Sequence, residues 1–222
     1  MKTAILVDGG FYRKRSLSVL GNKTAKERAN ELDDYCKRHL HEKHGSNDLY
    51  RIFYYDCPPM AKKVFHPLTR TQIDFSKTSL YTWTNEFFDE LKRKRKFALR
   101  MGKLADAQAC YTLKPEVVRK LCNKSTDMCN VTENDFIINL DQKGVDMKIG
   151  LDIASLAYKK QVDQIVLISG DSDFVSAAKL ARREGIDFVL DPLGANIKPD
   201  LFEHIDGLMT CDKAYLVKSN NK

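Results

Sequence analysis

Four aspartates stand where the chain could do chemistry: Asp8 in ILVDGG (5–10), Asp146 in KGVD (143–146), and Asp171 and Asp173 in ISGDSDF (168–174). Gathered in one place they would repel, since two unit charges about 5 Å apart at an effective dielectric near 20 cost roughly 3 kcal/mol. Such a group calls for a cation. All-oxygen ligation favours Mg2+ or Mn2+ over zinc, and those ions polarise phosphoryl oxygens and activate water. Asp8, Asp146, Asp171 and Asp173 are therefore predicted as metal ligands and catalytic residues, with a phosphodiester as the substrate.

The elements around them must bring residues far apart in the chain to one edge. Ile165–Ile168 is a continuous apolar run, the pattern of a strand buried on both faces of a parallel sheet. Turn and N-cap residues 169–173 follow it, then an apolar-faced segment that suits a helix ending at Gly185. Residues 3–7, TAILV, make a second buried strand running into Asp8 and the tight-turn pair Gly9–Gly10. Leu49–Asp56 is a third, closed by Cys57, Pro58 and Pro59, with Asp56 expected to stabilise that turn. Asp146 opens an apolar helix over 147–160. In a doubly wound sheet helix starts share an edge with strand carboxyl ends, which is where ligands bind. Asp152 lies six residues beyond Asp146, about 240° around an ideal helix, and is a weaker acidic candidate.

The remaining segments are less legible. Thr24–Lys43 reads as a capped packing helix, with Glu27 completing a capping box. Residues 60–142 are expected to be a helical, basic insertion, with a helix over 84–97 and a short strand over 135–140. Ile186–Leu190 is another buried strand, 209–217 an edge strand, and 218–222 a disordered tail. The expectation is one domain over 1–217, an α/β fold with a mainly parallel sheet.

Charge divides the chain unevenly. Residues 1–104 hold 22 Lys and Arg against 12 Asp and Glu, and residues 105–222 hold 15 against 18. A basic surface beside an acidic cluster suits a polyanionic substrate. Arg13, Lys14 and Arg15 follow Asp8 closely and are assigned to phosphates; Lys143, Ser169 and Ser172, which flank the acidic positions, are expected to bind substrate. The run Lys92–Lys96, with Arg93 and Arg95, lies near Tyr81, Trp83 and Phe97, and cations interleaved with aromatics grip single-stranded nucleic acid.

No apolar run approaches the roughly 18 residues of a membrane span, and the short, Asp-containing start is no signal peptide. A cytoplasmic protein is expected, with six free thiols. Cys36, His39, His41 and His44 could be drawn as a zinc site, but their spacing is that of one amphipathic helix and its polar end.

On ILVDGG (5–10), FYYDCPP (53–59), KGVDMKIGLDIA (143–154) and IVLISGDSDFVSAAKLARREG (165–185), the sequence resembles the NYN domains of the PIN-like nuclease superfamily, specifically the LabA-like branch. The resemblance covers about half the chain and leaves 60–130 largely out. It implies a three-layer α/β/α sandwich, a ribonuclease that hydrolyses RNA with Mg2+ or Mn2+, and Asp8, Asp146, Asp171 and Asp173 as ligands. It also matches Asp152 to a recurrent aspartate and admits a homodimer that lengthens a groove for single-stranded RNA. Many relatives carry Asn where this chain has Phe11, so a polar contact to substrate or water is missing.

Three other readings compete. GDSDF is similar to the last acidic motif of haloacid-dehalogenase phosphatases, but their first strand needs a second Asp where this chain has Gly10. A nucleotide-binding oxidoreductase lacks its GxGxxG after the first strand. A non-catalytic module that binds RNA or protein is the reading that Phe11 favours.

Overall fold

The computed structural model describes residues 1–42, 45–106, 109–140 and 142–217. Six parallel strands form the central sheet: β1 (Lys2–Asp8), β2 (Asp48–Asp56), β3 (Phe97–Met101), β4 (Gln164–Ile168), β5 (Asp187–Asp191) and β6 (Gly207–Leu208). Their spatial order is β6-β5-β4-β1-β2-β3, with every neighbouring pair parallel. That is the doubly wound order, and its reversal lies between β1 and β4. Connections leaving those two strands diverge to opposite sides, opening a crevice at their carboxyl ends. Asp8 ends β1, and Ser169 follows β4 directly.

Alternation along the strands builds two cores. Ile5 and Val7 of β1, Ile52 and Tyr54 of β2, and Val166 and Ile168 of β4 face α1 (Gly9–Leu20), α2 (Ala25–Arg38) and α3 (Ser79–Lys92). Ala4, Leu6, Tyr55, Ile165 and Leu167 face the other way. There they meet α5 (Val145–Tyr158) and α6 (Val175–Arg183), so the fold is a three-layer α/β/α sandwich. The capping box of Thr24 and Glu27 opens α2 as its sequence requires.

Residues 60–142 are more than an insertion. They supply α3 and edge strand β3 to the sandwich itself, and only then form the short helix α4 (Pro115–Cys122) and a hairpin pairing Cys110–Leu113 with Phe136–Asn139. The helix expected over 84–97 instead starts at Ser79, where Thr78 caps it, and ends at Lys92. Residues 213–217 are a short helix, not a strand. The tail 218–222 lies outside the described residues. All six cysteines are free, and among the described residues no helix is long and apolar enough to cross a membrane.

Candidate active site at the strand carboxyl ends

Asp8 sits at the floor of the crevice. Its carboxylate accepts a hydrogen bond from the Phe11 amide at 3.1 Å, as the N-cap of α1, and another from Ser169 Oγ at 3.2 Å. Gly9, directly after it, packs so closely that a Cβ would lie 2.5 Å from the Tyr54 ring and 2.6 Å from the Tyr55 carbonyl. Only glycine lets the chain turn there. Burial, then repulsion from Asp146 and Asp56, pushes the Asp8 carboxyl up to about 6 against the pull of its two hydrogen bonds.

Ser169 joins the two sides of the crevice. Fully buried, it donates to Asp8 and accepts the Asp171 amide at 3.3 Å. It donates one hydrogen bond and accepts one inside the protein, and so holds the Asp8 carboxylate and the Asp171 amide in place. Asp171 caps the turn that follows, accepting the Asp173 amide at 3.1 Å, and both acids are exposed. Asp146, in the first turn of α5, is raised by partial burial and then by Asp171 and Asp173. Asp146 therefore stands close enough to raise the Asp8 carboxyl and to be raised itself by the Asp171–Asp173 turn. Among the described residues, however, no three Asp, Glu, His or Cys side chains are gathered tightly enough to hold a metal ion. The donor chemistry suits a hard cation, and closing these carboxylates around one requires side-chain movement.

The expected substrate residues divide. Lys14 is exposed on a groove of about 640 Å³ that begins at Gly10 and Arg13 and runs past Lys23 and Trp83. Lys143 is exposed in the short strand just before α5, and Ser172 accepts Lys198 Nζ at 2.9 Å in the acidic turn. Arg13 is at the edge but paired, its Nη2 2.9 Å from the buried Asp56. Arg15 donates to the Leu193 carbonyl at 2.8 Å. Arg93 and Arg95 are not brought to this edge. They immediately precede β3, so they lie at the amino ends of the parallel strands, and Arg93 pairs with Glu90 at 2.6 Å. Trp83, too, is a packing residue as well as a surface one, stacked on Phe87 with centroids 5.2 Å apart.

Asp152 is occupied elsewhere: it takes the Arg100 Nε at 2.8 Å, a second Arg100 nitrogen, and the Tyr55 hydroxyl at 2.8 Å. Asp56 bonds the Cys57 amide as a turn residue should, and also the Tyr54 hydroxyl at 3.0 Å. Burial pushes its carboxyl up while Arg13 pulls it back. Phe11 lays its ring on Gly170, where a Cβ would sit 2.6 Å from it. The drawn zinc group does not form. His39 is buried against Asp191 at 2.9 Å, and His44 lies outside the described residues. Lys198 escaped sequence reasoning because its loop carries no pattern that predicts its reach to Ser172.

Comparison with known proteins bears on the family. No curated protein matches the chain. A solved structure of a protein of unknown function from Vibrio parahaemolyticus aligns at 14% identity and a TM-score of 0.47, over 96% of this chain and 94% of that one. The family model of the NYN domain matches residues 85–196, a span that takes in Asp146, Asp171 and Asp173 and leaves Asp8 outside. With half its length so matched, the chain belongs to the NYN domain family of the PIN-like superfamily.

Proposed function

We propose that this chain is a metal-dependent ribonuclease of the LabA-like branch. The observation that supports the reading is the placement of Asp8 at the end of β1 and of the Asp171–Asp173 turn just past β4, with Asp146 in the first turn of α5 close enough to raise the Asp8 carboxyl and to be raised by Asp171 and Asp173. These four would hold Mg2+ or Mn2+. When bound, the ion would activate water and offset charge on the phosphoryl oxygens.

The chain's own residues do the rest. Ser169 holds Asp8 and the Asp171 amide in one arrangement. Lys14, Lys143 and Lys198 offer positive charge around the carboxylates, and the groove past Lys23 and Trp83 extends away from them for a single strand of RNA. Water adds to phosphorus as the P–O3′ bond breaks and the departing 3′ oxygen takes up a proton. The products are a 5′-phosphate and a 3′-hydroxyl.

Two observations favour a second reading, an RNA- or protein-binding module without catalysis: Phe11, where the family resemblance implies Asn, packs on Gly170, and the described carboxylates are not drawn together as ligands. Cleavage of end-labelled single-stranded RNA in Mn2+ separates the two. The nuclease reading expects loss of at least about a hundredfold in Asp171→Asn, the scale of removing a group that stabilises the transition state. Equal cleavage by wild type and variant assigns the activity to a contaminant.

A further inference from the structure

Beside the carboxylate edge is a second, smaller cavity of about 300 Å³, at the low end of the range for small-ligand sites. Its walls are largely apolar: Met60, Phe75, Tyr81, Tyr111, Ile138 and Leu140, drawn from the segment between β2 and α5. Cys57 and Arg13 stand where it meets the end of β2, and Gln142 lines it as well. The Gln142 amide oxygen and an Asp8 carboxylate oxygen lie 3.9 and 3.6 Å from the same point above Gly10. The cavity therefore opens within a residue's reach of the acidic crevice.

An aromatic-lined slot with Gln142 on its wall fits a flat heterocycle that offers polar groups at its rim.

Resting on the nuclease reading, we propose that this cavity receives one nucleobase of the substrate strand, next to the phosphodiester held at the carboxylates. Tyr81, Tyr111 or Phe75 would supply the face for stacking, and the Gln142 amide a polar contact at the rim. The segment that builds the walls then sets base preference, while the sandwich supplies the acids.

The test measures binding of a fluorescein-labelled hexauridylate in EDTA, against six versions each carrying one abasic ribose in turn. Stacking is worth roughly 5- to 150-fold per base. One abasic position is expected to weaken binding by that amount and the others far less. Ile138→Trp, which fills the slot, should bring the intact hexamer down to the affinity of that weakest abasic version. A flat response across the six positions, or an Ile138→Trp protein that binds like wild type, overturns the proposal. Cleavage in Mn2+ is scored separately. Position-dependent binding without cleavage supports the slot and refutes the nuclease, whereas cleavage with a flat abasic series does the reverse. No binding at all overturns the slot.

Discussion

Asp8→Asn should make the protein more stable at neutral pH while removing its activity. The side chain is largely buried, and its carboxyl is raised from its ordinary 3.8 to about 6, chiefly by desolvation and then by Asp146 and Asp56. Below pH 3.8 the group is protonated in folded and unfolded chains alike and costs nothing. Between 3.8 and 6 the folded protein keeps a proton that the unfolded chain has released, so stability falls as pH rises. Above 6 the full cost is present. Each pH unit is worth about 1.36 kcal/mol, so ionised Asp8 costs on the order of 3 kcal/mol. Asn keeps the N-cap bond from the Phe11 amide, ranks equal to Asp as a cap, and can donate its amide to Ser169 Oγ. In chelator at pH 8 the variant should gain up to about 3 kcal/mol, roughly 6 to 12 °C in Tm for a domain of this size. The gain should shrink to nothing toward pH 3.5. Thermal melts of both proteins in EDTA from pH 3.5 to 8 provide the assay, and their difference isolates this group from other titrations. A difference that stays flat with pH, or a variant less stable at pH 8, would refute the reasoning.

Asp152→Asn should leave RNA cleavage within a few-fold of wild type, because that carboxylate is held by Arg100 and Tyr55; loss comparable to Asp171→Asn would return it to the site. Neutralising Arg93 and Arg95 should leave the salt dependence of RNA binding unchanged, since both lie at the amino ends of the strands. Neutralising Lys14 and Lys143 should flatten it, by about 0.7 in log–log slope for each phosphate that loses its cation. Gly9→Ala should lower stability by at least about 1–3 kcal/mol in denaturant titration, because the new methyl meets the Tyr54 ring and the Tyr55 carbonyl; a neutral result would show that β2 can yield.

The sandwich was legible because its strands are fully buried. Ile165–Ile168 and residues 3–7 read as continuous apolar runs, and a parallel sheet covered on both faces produces such runs. Asp8 and Asp171 were legible for a related reason, each standing at or just past the end of such a run. Periodicity does not reveal β3, whose pattern alternates weakly at the sheet edge, so the helical pattern of α3 runs on past Lys92 and puts the cations of 92–96 on a helix. Arg93 and Arg95, expected to bind substrate, instead precede β3 at the amino ends of the strands. The ties of Asp152 to Arg100 and of Lys198 to Ser172 join residues 52 and 26 apart. Local sequence carries no signal for such pairs. Ser169 stands out in the sequence beside the acids, but only the structure shows that it donates one hydrogen bond and accepts one inside the protein.

If Asp8 and the Asp146–Asp171–Asp173 group serve one cation across the switch point, anomalous diffraction from crystals soaked in Mn2+ tests that most directly. A manganese peak is expected, bounded by carboxylate oxygens of Asp8, Asp146 and at least one of Asp171 and Asp173. Manganese bound elsewhere, or none at this edge under saturating Mn2+ at pH 8, would contradict a shared site.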